Sequence, residues 1–458
     1  MRLTRTLSAL AAATALSGVT AGAALADPAS TTTSPSSSST TTSSKPSTSA
    51  TESDEAGKDA CKDTISKIPT EKLPAQLVTA AVSTNEELKQ AIDAGVGNVY
   101  ISSAGVKAGV LKTLPSITEA KDKKVGVSID EEGGKVSRLK DVLPTPLPSA
   151  ADQAKKSPEE IKKVAKQRAS EMAKLGLTRD YAPVVDVGPS EFLGTRVASD
   201  DPKKVSEFAA AFTEGLKEGG IGATIKHFPG HGSTNSDTHQ TAGKTASLEE
   251  LKKKDLIPYK DLLKDPDPTT AVMVGHLIVP GLTEEGKVTS ISPATMKLLR
   301  DGEGYGGEKF DGLILTDDLS GMKAVLDVLP APEAAVAAVK AGADSPMITW
   351  PTDGKKTIEA LTSAKLDKER LEESATRVAI ARGECKGAKN KDSDDDETSS
   401  PPTTSPSSGT TTTSSRSSTQ STTGPSGKDD DNSPTTTTVE DDDEDTPVTW
   451  TPTRRTLS

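Results

Sequence analysis

The chain has 458 residues, a formal charge of −12, and only 2% aromatic residues in a 33% hydrophobic composition. Most of the acidity lies at one end, where residues 387–458 carry fourteen acidic and six basic side chains, a balance of −8. That distribution argues against a nucleic-acid-binding surface. After Leu25 no apolar run is long enough to span a bilayer.

In chain order, residues 1–26 read as a secretory signal peptide. A positive start, Met1-Arg2-Leu3-Thr4-Arg5, precedes an Ala/Leu-rich stretch, and Ala24-Leu25-Ala26 before Asp27 fits small-residue cleavage. An exported, extracellular or envelope-associated protein is expected. Residues 27–60 and 387–458 are rich in Ser, Thr and Pro, with too few apolar side chains to offset the entropy of ordering. Both are expected to be disordered, the tail either an O-glycosylated spacer or a plain solvated extension.

Residues 61–386 have the rhythm of one domain, with Cys61 and Cys385 at its borders. In an exported chain such a pair suggests a disulfide. It would close a loop that the chain-entropy description values at about 5 to 6 kcal/mol at most, and it requires the two ends of the domain to be neighbours.

Short apolar runs predict strands at Gln76–Val82, Asn98–Ser102, Lys124–Ile129, Arg179–Val187, Ala223–His227, Ala271–Val279, Gly312–Thr316 and Ser345–Trp350. Between them, amphipathic patterns predict helices at Asn85–Ala94, Pro158–Leu175, Pro202–Glu218, Leu248–Leu263, Pro293–Arg300, Glu333–Ala341 and Lys355–Ile380. Eight strands alternating with helices predict an α/β fold, a single-domain (β/α)8 TIM barrel. An open doubly wound sheet is the alternative.

A barrel places its active site at the C-terminal strand ends. The polar residues fall there: Asp130 to Gly134 after the third strand, Asp186 in the fourth, Lys226-His227 at the fifth, His276 in the sixth, Asp317-Asp318 at the seventh. The segment from Lys226 to His239 holds three of the four histidines, in a loop punctuated by Gly and Pro.

Three chemistries are open to such a set. A metal cage would draw on His227, His231, His239 and Asp237, but Pro229 and intervening glycines spoil the usual same-face spacing of ligand pairs. A serine hydrolase needs a G-x-S-x-G elbow, which the chain lacks. A carboxylate nucleophile opposed by a proton donor needs only Asp317 and the Asp237-Thr238-His239 segment. Two residues apart in extended chain, Asp237 and His239 lie on one side of the backbone, so the carboxylate can fix the imidazole tautomer.

Lys226-His227-Phe228-Pro229-Gly230-His231-Gly232, followed after four residues by Asp237-Thr238-His239, resembles the signature loop of family-3 glycoside hydrolases of the bacterial β-N-acetylglucosaminidase (β-hexosaminidase) branch. Leu315-Thr316-Asp317-Asp318-Leu319-Ser320 resembles the nucleophile motif of that family, and Asp130-Glu131-Glu132-Gly133-Gly134-Lys135-Val136-Ser137-Arg138 its sugar-binding segment. The resemblance covers nearly all of residues 75–382. It implies Asp317 as nucleophile, His239 as general acid/base and Asp237 as its partner, with Asp130, Arg138, Arg196, Lys226 and His227 holding the terminal sugar.

The resemblance further implies a retaining exo-β-N-acetylglucosaminidase acting on GlcNAc-containing cell-wall (peptidoglycan) fragments. A carbohydrate substrate, a monomer, and no metal or organic cofactor are expected. A β-glucosidase of the same family and a catalytically weak wall-binding protein are the rivals. The sequence departs from the family around Arg196-Val197-Ala198-Ser199-Asp200-Asp201, which lacks the usual Phe-Gly, and at Gly321, inserted between Ser320 and Met322. Of the remaining polar residues, Asp318 is expected to organise its turn and His231 to brace the loop. His276 and Asp186 are open between structural and substrate roles, and Trp350 between stacking on a sugar and closing the barrel.

Overall fold

The computed structural model describes residues 49–120, 125–190, 192–234, 237–238 and 240–384. The predicted leader, the acidic tail, Cys385 and His239 lie outside the described residues.

Eight strands form one parallel sheet: β1 (Thr79–Val82), β2 (Asn98–Ile101), β3 (Gly126–Ile129), β4 (Arg179–Asp180), β5 (Thr224–Phe228), β6 (Ala271–Val274), β7 (Leu313–Asp318) and β8 (Ser345–Thr349). Apart from β4 and β5, each pairs with its sequence neighbour, and β1 pairs with β8, Thr79 opposite Met347. The remaining seam, β4 to β5, is closed by single bridges between Arg179 and Gly222 and between Val184 and Lys226. The architecture is a (β/α)8 barrel; the open-sheet alternative is excluded by that closure.

Among the described residues the helices longer than five residues are α1 (Ser49–Ser66), α2 (Asn85–Ala94), α3 (Val110–Ala120), α4 (Pro158–Lys174), α5 (Pro202–Glu218), α6 (Leu256–Leu262), α7 (Pro293–Asp301), α8 (Ala331–Ala341), α9 (Thr352–Ser363) and α10 (Lys368–Ala381). Their starts follow local chemistry. Ser157 caps α4 through a reciprocal box with Glu160, and the Asp201 side chain accepts from Lys203 N–H ahead of Pro202 at the start of α5. Among the described residues no helix is long and apolar enough to cross a membrane.

Alternation along the strands divides the core. Val272, Val274 and Ile314 face the helical layer, whereas Tyr181, Ala271, Met273, Leu313, Leu315 and Met347 fill the barrel interior. Val378 and Ala381 of α10 close that interior from below. At the same base Arg179 donates to the carbonyls of Ala223, Thr269 and Ala381, so one side chain joins β4, the chain beside β5 and β6, and α10.

Several boundaries differ from the sequence reading. The first run starts as a helical turn, Leu73–Leu77, because Pro74 in a first turn is compatible with helix. The predicted strand Arg179–Val187 is regular only over Arg179–Asp180; Pro183 cannot donate to a ladder, and the chain beyond touches β5 only at Val184. Helix α3 was not predicted, its pattern masked by Pro115 in the middle. The long predictions 248–263 and 355–380 each split in two. Helix α1 begins at Ser49, inside the segment read as linker, and packs along α10, with Cys61 buried.

Candidate active site

The site is assembled where two strands each take up one extra residue. Between β5 and β6 the register runs Ile225–Val272 and then Phe228–Val274, so Lys226 and His227 together oppose one residue. Between β7 and β8 it runs Leu315–Ser345 and then Asp318–Met347, which places Thr316 and Asp317 in the same situation. A bulge of this kind re-aims side chains that a regular strand would send to opposite faces. It accounts for Lys226 and His227 both serving the open end of the barrel.

One half of the site is a buried charge cluster. The Lys226 ammonium donates to Asp130 at 2.7 Å and pairs with Glu132 at 2.6 Å. Arg196 forks onto Glu132 at 2.8 and 3.0 Å, and Arg138 stands 3.8 Å from Asp130. The Tyr100 hydroxyl donates to the second oxygen of Asp130 at 2.6 Å. Burial is the largest influence on Asp130 and Glu132 and pushes both carboxyls up. The cations Lys226 and Arg138 at Asp130, and Arg196 and Lys226 at Glu132, outweigh it and hold both below the usual range. The same balance raises Lys226: burial lowers it, and Asp130 and Glu132 more than compensate.

The other half is built from imidazoles and Asp317. His227 Nδ1 lies 2.7 Å from Asp186, which is fully buried. A carboxylate only accepts, so Nδ1 carries the hydrogen and Nε2 is left for the site. Asp186 also accepts the backbone N–H of His231 at 2.6 Å. His276 is fixed likewise: its Nε2 lies 3.0 Å from the Asp318 carbonyl and must donate, while Nδ1 meets the Ser290 hydroxyl at 2.7 Å.

Asp317 is the penultimate residue of β7, two residues beyond the interior Leu315, and accepts the Asp318 N–H at 2.9 Å. Burial alone would raise its carboxyl, but the fields of His227 and His276, with the Asp318 N–H and Lys226, leave it below the ordinary value. Its neighbour is the reverse case. Asp318 turns back onto the Ser320 N–H and hydroxyl at 2.8 and 2.7 Å, and burial raises it. Asp317 is the carboxylate kept ionised, and Asp318 organises the turn.

The loop after β5 is held at several points. Gly232 lies so close to the β4 exit that a Cβ there would stand 2.2 Å from the Val187 carbonyl. Ser233 and Thr245 share a 2.7 Å hydrogen bond across the base of the loop, and Thr245 N–H donates to Ile278. Near the tip, Thr238 is buried and its carbonyl accepts the Ala324 N–H at 3.2 Å. Asp237 is half-buried, and its carbonyl accepts from Gln240 and Thr241. The loop is therefore tied to the segment that follows Asp317. Among the described residues no group of three or more His, Cys, Asp or Glu is arranged to hold a metal ion.

Asp130, Lys226, His227 and Asp317 thus converge, as the strand-end reading expects, and Arg138 and Arg196, which entered through the resemblance, join them. Arg196 is held in the cluster by Glu132. His231 packs its ring 5.8 Å from that of His227 and 5.9 Å from Phe192, which is bracing; burial lowers its pKa to about 4 and keeps it neutral. Trp350 is buried against Gly354 and belongs to the core rather than to a sugar-stacking surface.

Sequence reasoning missed Tyr100. Its ring stacks on Tyr181 at 5.5 Å and 7°, and its hydroxyl fixes Asp130. The available signal was one Tyr on the inward parity of β2, too weak to separate from core. A hydrogen bond to a charged group is worth about 1.5 to 3 kcal/mol. Tyr100→Phe is expected to raise KM about tenfold with kcat within about twofold. Steady-state kinetics check this, and an unchanged KM would show that Lys226 and Arg138 alone orient Asp130.

Comparison with known proteins agrees with the geometry. The chain is 39% identical over 269 residues to β-hexosaminidase LpqI of Mycobacterium tuberculosis, covering 57% of this chain and 68% of that one. It is 32% identical over 250 residues to a β-hexosaminidase of Stenotrophomonas maltophilia, covering 53% and 72%. The solved structure of M. tuberculosis LpqI superposes with a TM-score of 0.67 at 34% identity, over 70% of this chain and 96% of that one. A family-3 β-N-acetylglucosaminidase from Paenibacillus sp. FPU-7 gives 0.63 at 27% identity, over 69% and 63%. Residues 70–381, all eight strands of the barrel among them, match the glycosyl hydrolase family 3 N terminal domain, and the chain is a glycoside hydrolase of that family.

Proposed function

We propose that the protein is a retaining exo-β-N-acetylglucosaminidase. The observation that carries this reading is Asp317, a carboxylate held ionised at the open end of β7 in the combined field of His227, His276 and Lys226. The names of its relatives, β-hexosaminidase and β-N-acetylglucosaminidase, favour an N-acetylated terminal sugar.

Asp317 attacks the anomeric carbon as the glycosidic C–O bond breaks. The bonding pair leaves on the departing oxygen, which takes a proton from His239, with Asp237 stabilising the imidazolium. Water then attacks the same carbon, gives its proton to His239 and releases Asp317. Lys226, Arg138 and Arg196 supply donors to the hydroxyl and acetamido groups, Asp130 an acceptor, and His227 presents Nε2. The leader points to export and the substrate class to peptidoglycan fragments outside the cell. A Cys61–Cys385 disulfide would hold α1 on α10 and so tie the two ends of the barrel together.

A panel of aryl β-glycosides tests the reading. Release from the N-acetylglucosaminide with retention of configuration is the expected result. Preference for the glucoside would favour the β-glucosidase alternative, and no turnover the binding protein. Activity lost in chelator and restored by a divalent cation would return the loop histidines to metal binding.

A further inference from the structure

Asp255 immediately precedes α6, is 1% exposed, and its Oδ1 meets no hydrogen-bond partner. It touches both backbones that frame the histidines. The Val187 N–H, directly after Asp186, is turned toward its carboxyl and favours the ionised form. On the other side Gly230, at φ +134°, approaches so closely that a Cβ would lie 2.4 Å from the Cβ of Asp255. Asp186 holds His227 and His231, and Gly230 opens the loop that runs to Asp237.

We propose that Asp255 is a positioning residue: it clamps the β4 exit at Val187 to the β5 exit at Gly230 and so sets the acid/base loop against Asp317. The role rests on the reading of that loop as the proton donor.

The groups facing Asp255 are Asp186 and Lys254, with Tyr259 from α6, whose own hydroxyl is buried without a partner. Burial first, then the negative field of Asp186, raises the carboxyl to about 7, against a smaller opposing effect of Lys254. Below about pH 7 the neutral form predominates. Ionisation would put a second negative charge beside Asp186, loosening its hold on the backbone N–H groups of His227 and His231. The sign for stability follows: a carboxyl raised in the folded state binds its proton more tightly there, so stability falls as pH rises from the ordinary carboxylate value to about 7 and stays reduced above.

Asp255→Asn keeps the shape and the acceptor for Val187 but cannot ionise. Its melting temperature, relative to wild type, is expected to climb between pH 4 and pH 7.5, and the alkaline limb of its kcat profile to move up, with KM unchanged. Asp255→Leu removes the clamp. Its kcat/KM, which reports the first, acid-assisted step alone, should fall about tenfold or more for a poor aryl leaving group and by less than about threefold for a dinitrophenyl one, whose departure needs no acid assistance. Parallel melting curves for the Asn variant, or an equal loss with both leaving groups for the Leu variant, would overturn the proposal. If wild type cleaves no aryl glycoside, the functional reading fails, and the melting comparison still decides the place of Asp255.

Discussion

Asp317→Asn is expected to lower kcat/KM by roughly 10⁴-fold or more, the scale of loss when a covalent nucleophile is removed. Folding should survive: the amide oxygen can still accept the Asp318 N–H, and the change is isosteric at the half-buried end of β7. Since the neighbouring fields hold the Asp317 carboxyl below its ordinary value, the acid limb that reports its protonation should lie below the ordinary carboxylate range in wild type. Asp317→Ala opens the vacated face, and azide should restore turnover with an α-glycosyl azide as product. Residual activity above a tenth of wild type would mean that another carboxylate attacks. Asp318 is the nearest, but its oxygens are turned onto Ser320 and burial raises it, so it is the poorer nucleophile on both counts.

The legible parts of the molecule were those in which one residue type admits one explanation. Asp201-Pro202 and Gly219-Gly220 bound α5 in the sequence and in the structure, since N-cap and Pro chemistry is local. The strand-end rule located Asp130, Lys226 and Asp317 because charged groups at apolar-run boundaries have few other uses. What stayed hidden depends on pairings across distant segments. Glu132, read only as part of a motif, turns out to hold both Arg196 and Lys226. Tyr100 acquires its meaning from Asp130, and Asp186 from the bulge that redirects His227. Asp255 gave no signal, because a buried acid before a helix looks in sequence like an ordinary cap. At Gly321 a Cβ would stand 2.4 Å from Asp318 Oδ2, so that position packs directly on the turn behind Asp317.

Lys226→Met should be the most destabilising change at the site. The side chain is 3% exposed and is shared by Asp130 and Glu132, so its removal leaves two buried carboxylates with only Arg138 and Arg196 to offset them. Breaking a buried pair from one side costs about 3 to 5 kcal/mol, a fall in Tm of roughly 6 to 15 °C for a domain of this size. Packing makes a smaller contribution, since Met matches the aliphatic stem of Lys. The pH dependence separates charge from packing. In wild type both carboxyls titrate below their unfolded values, so their stabilisation is present above that range and is lost as the pH falls through the folded values. Without Lys226 those folded values rise, the carboxyls take up protons more readily, and the deficit relative to wild type should narrow on going from pH 7 to pH 4. A deficit of constant size across that range would show that the ammonium matters for shape and not for charge. Sugar binding should fail in parallel, because Asp130 would lose the cation that fixes its Oδ1 while Tyr100 still holds the other oxygen.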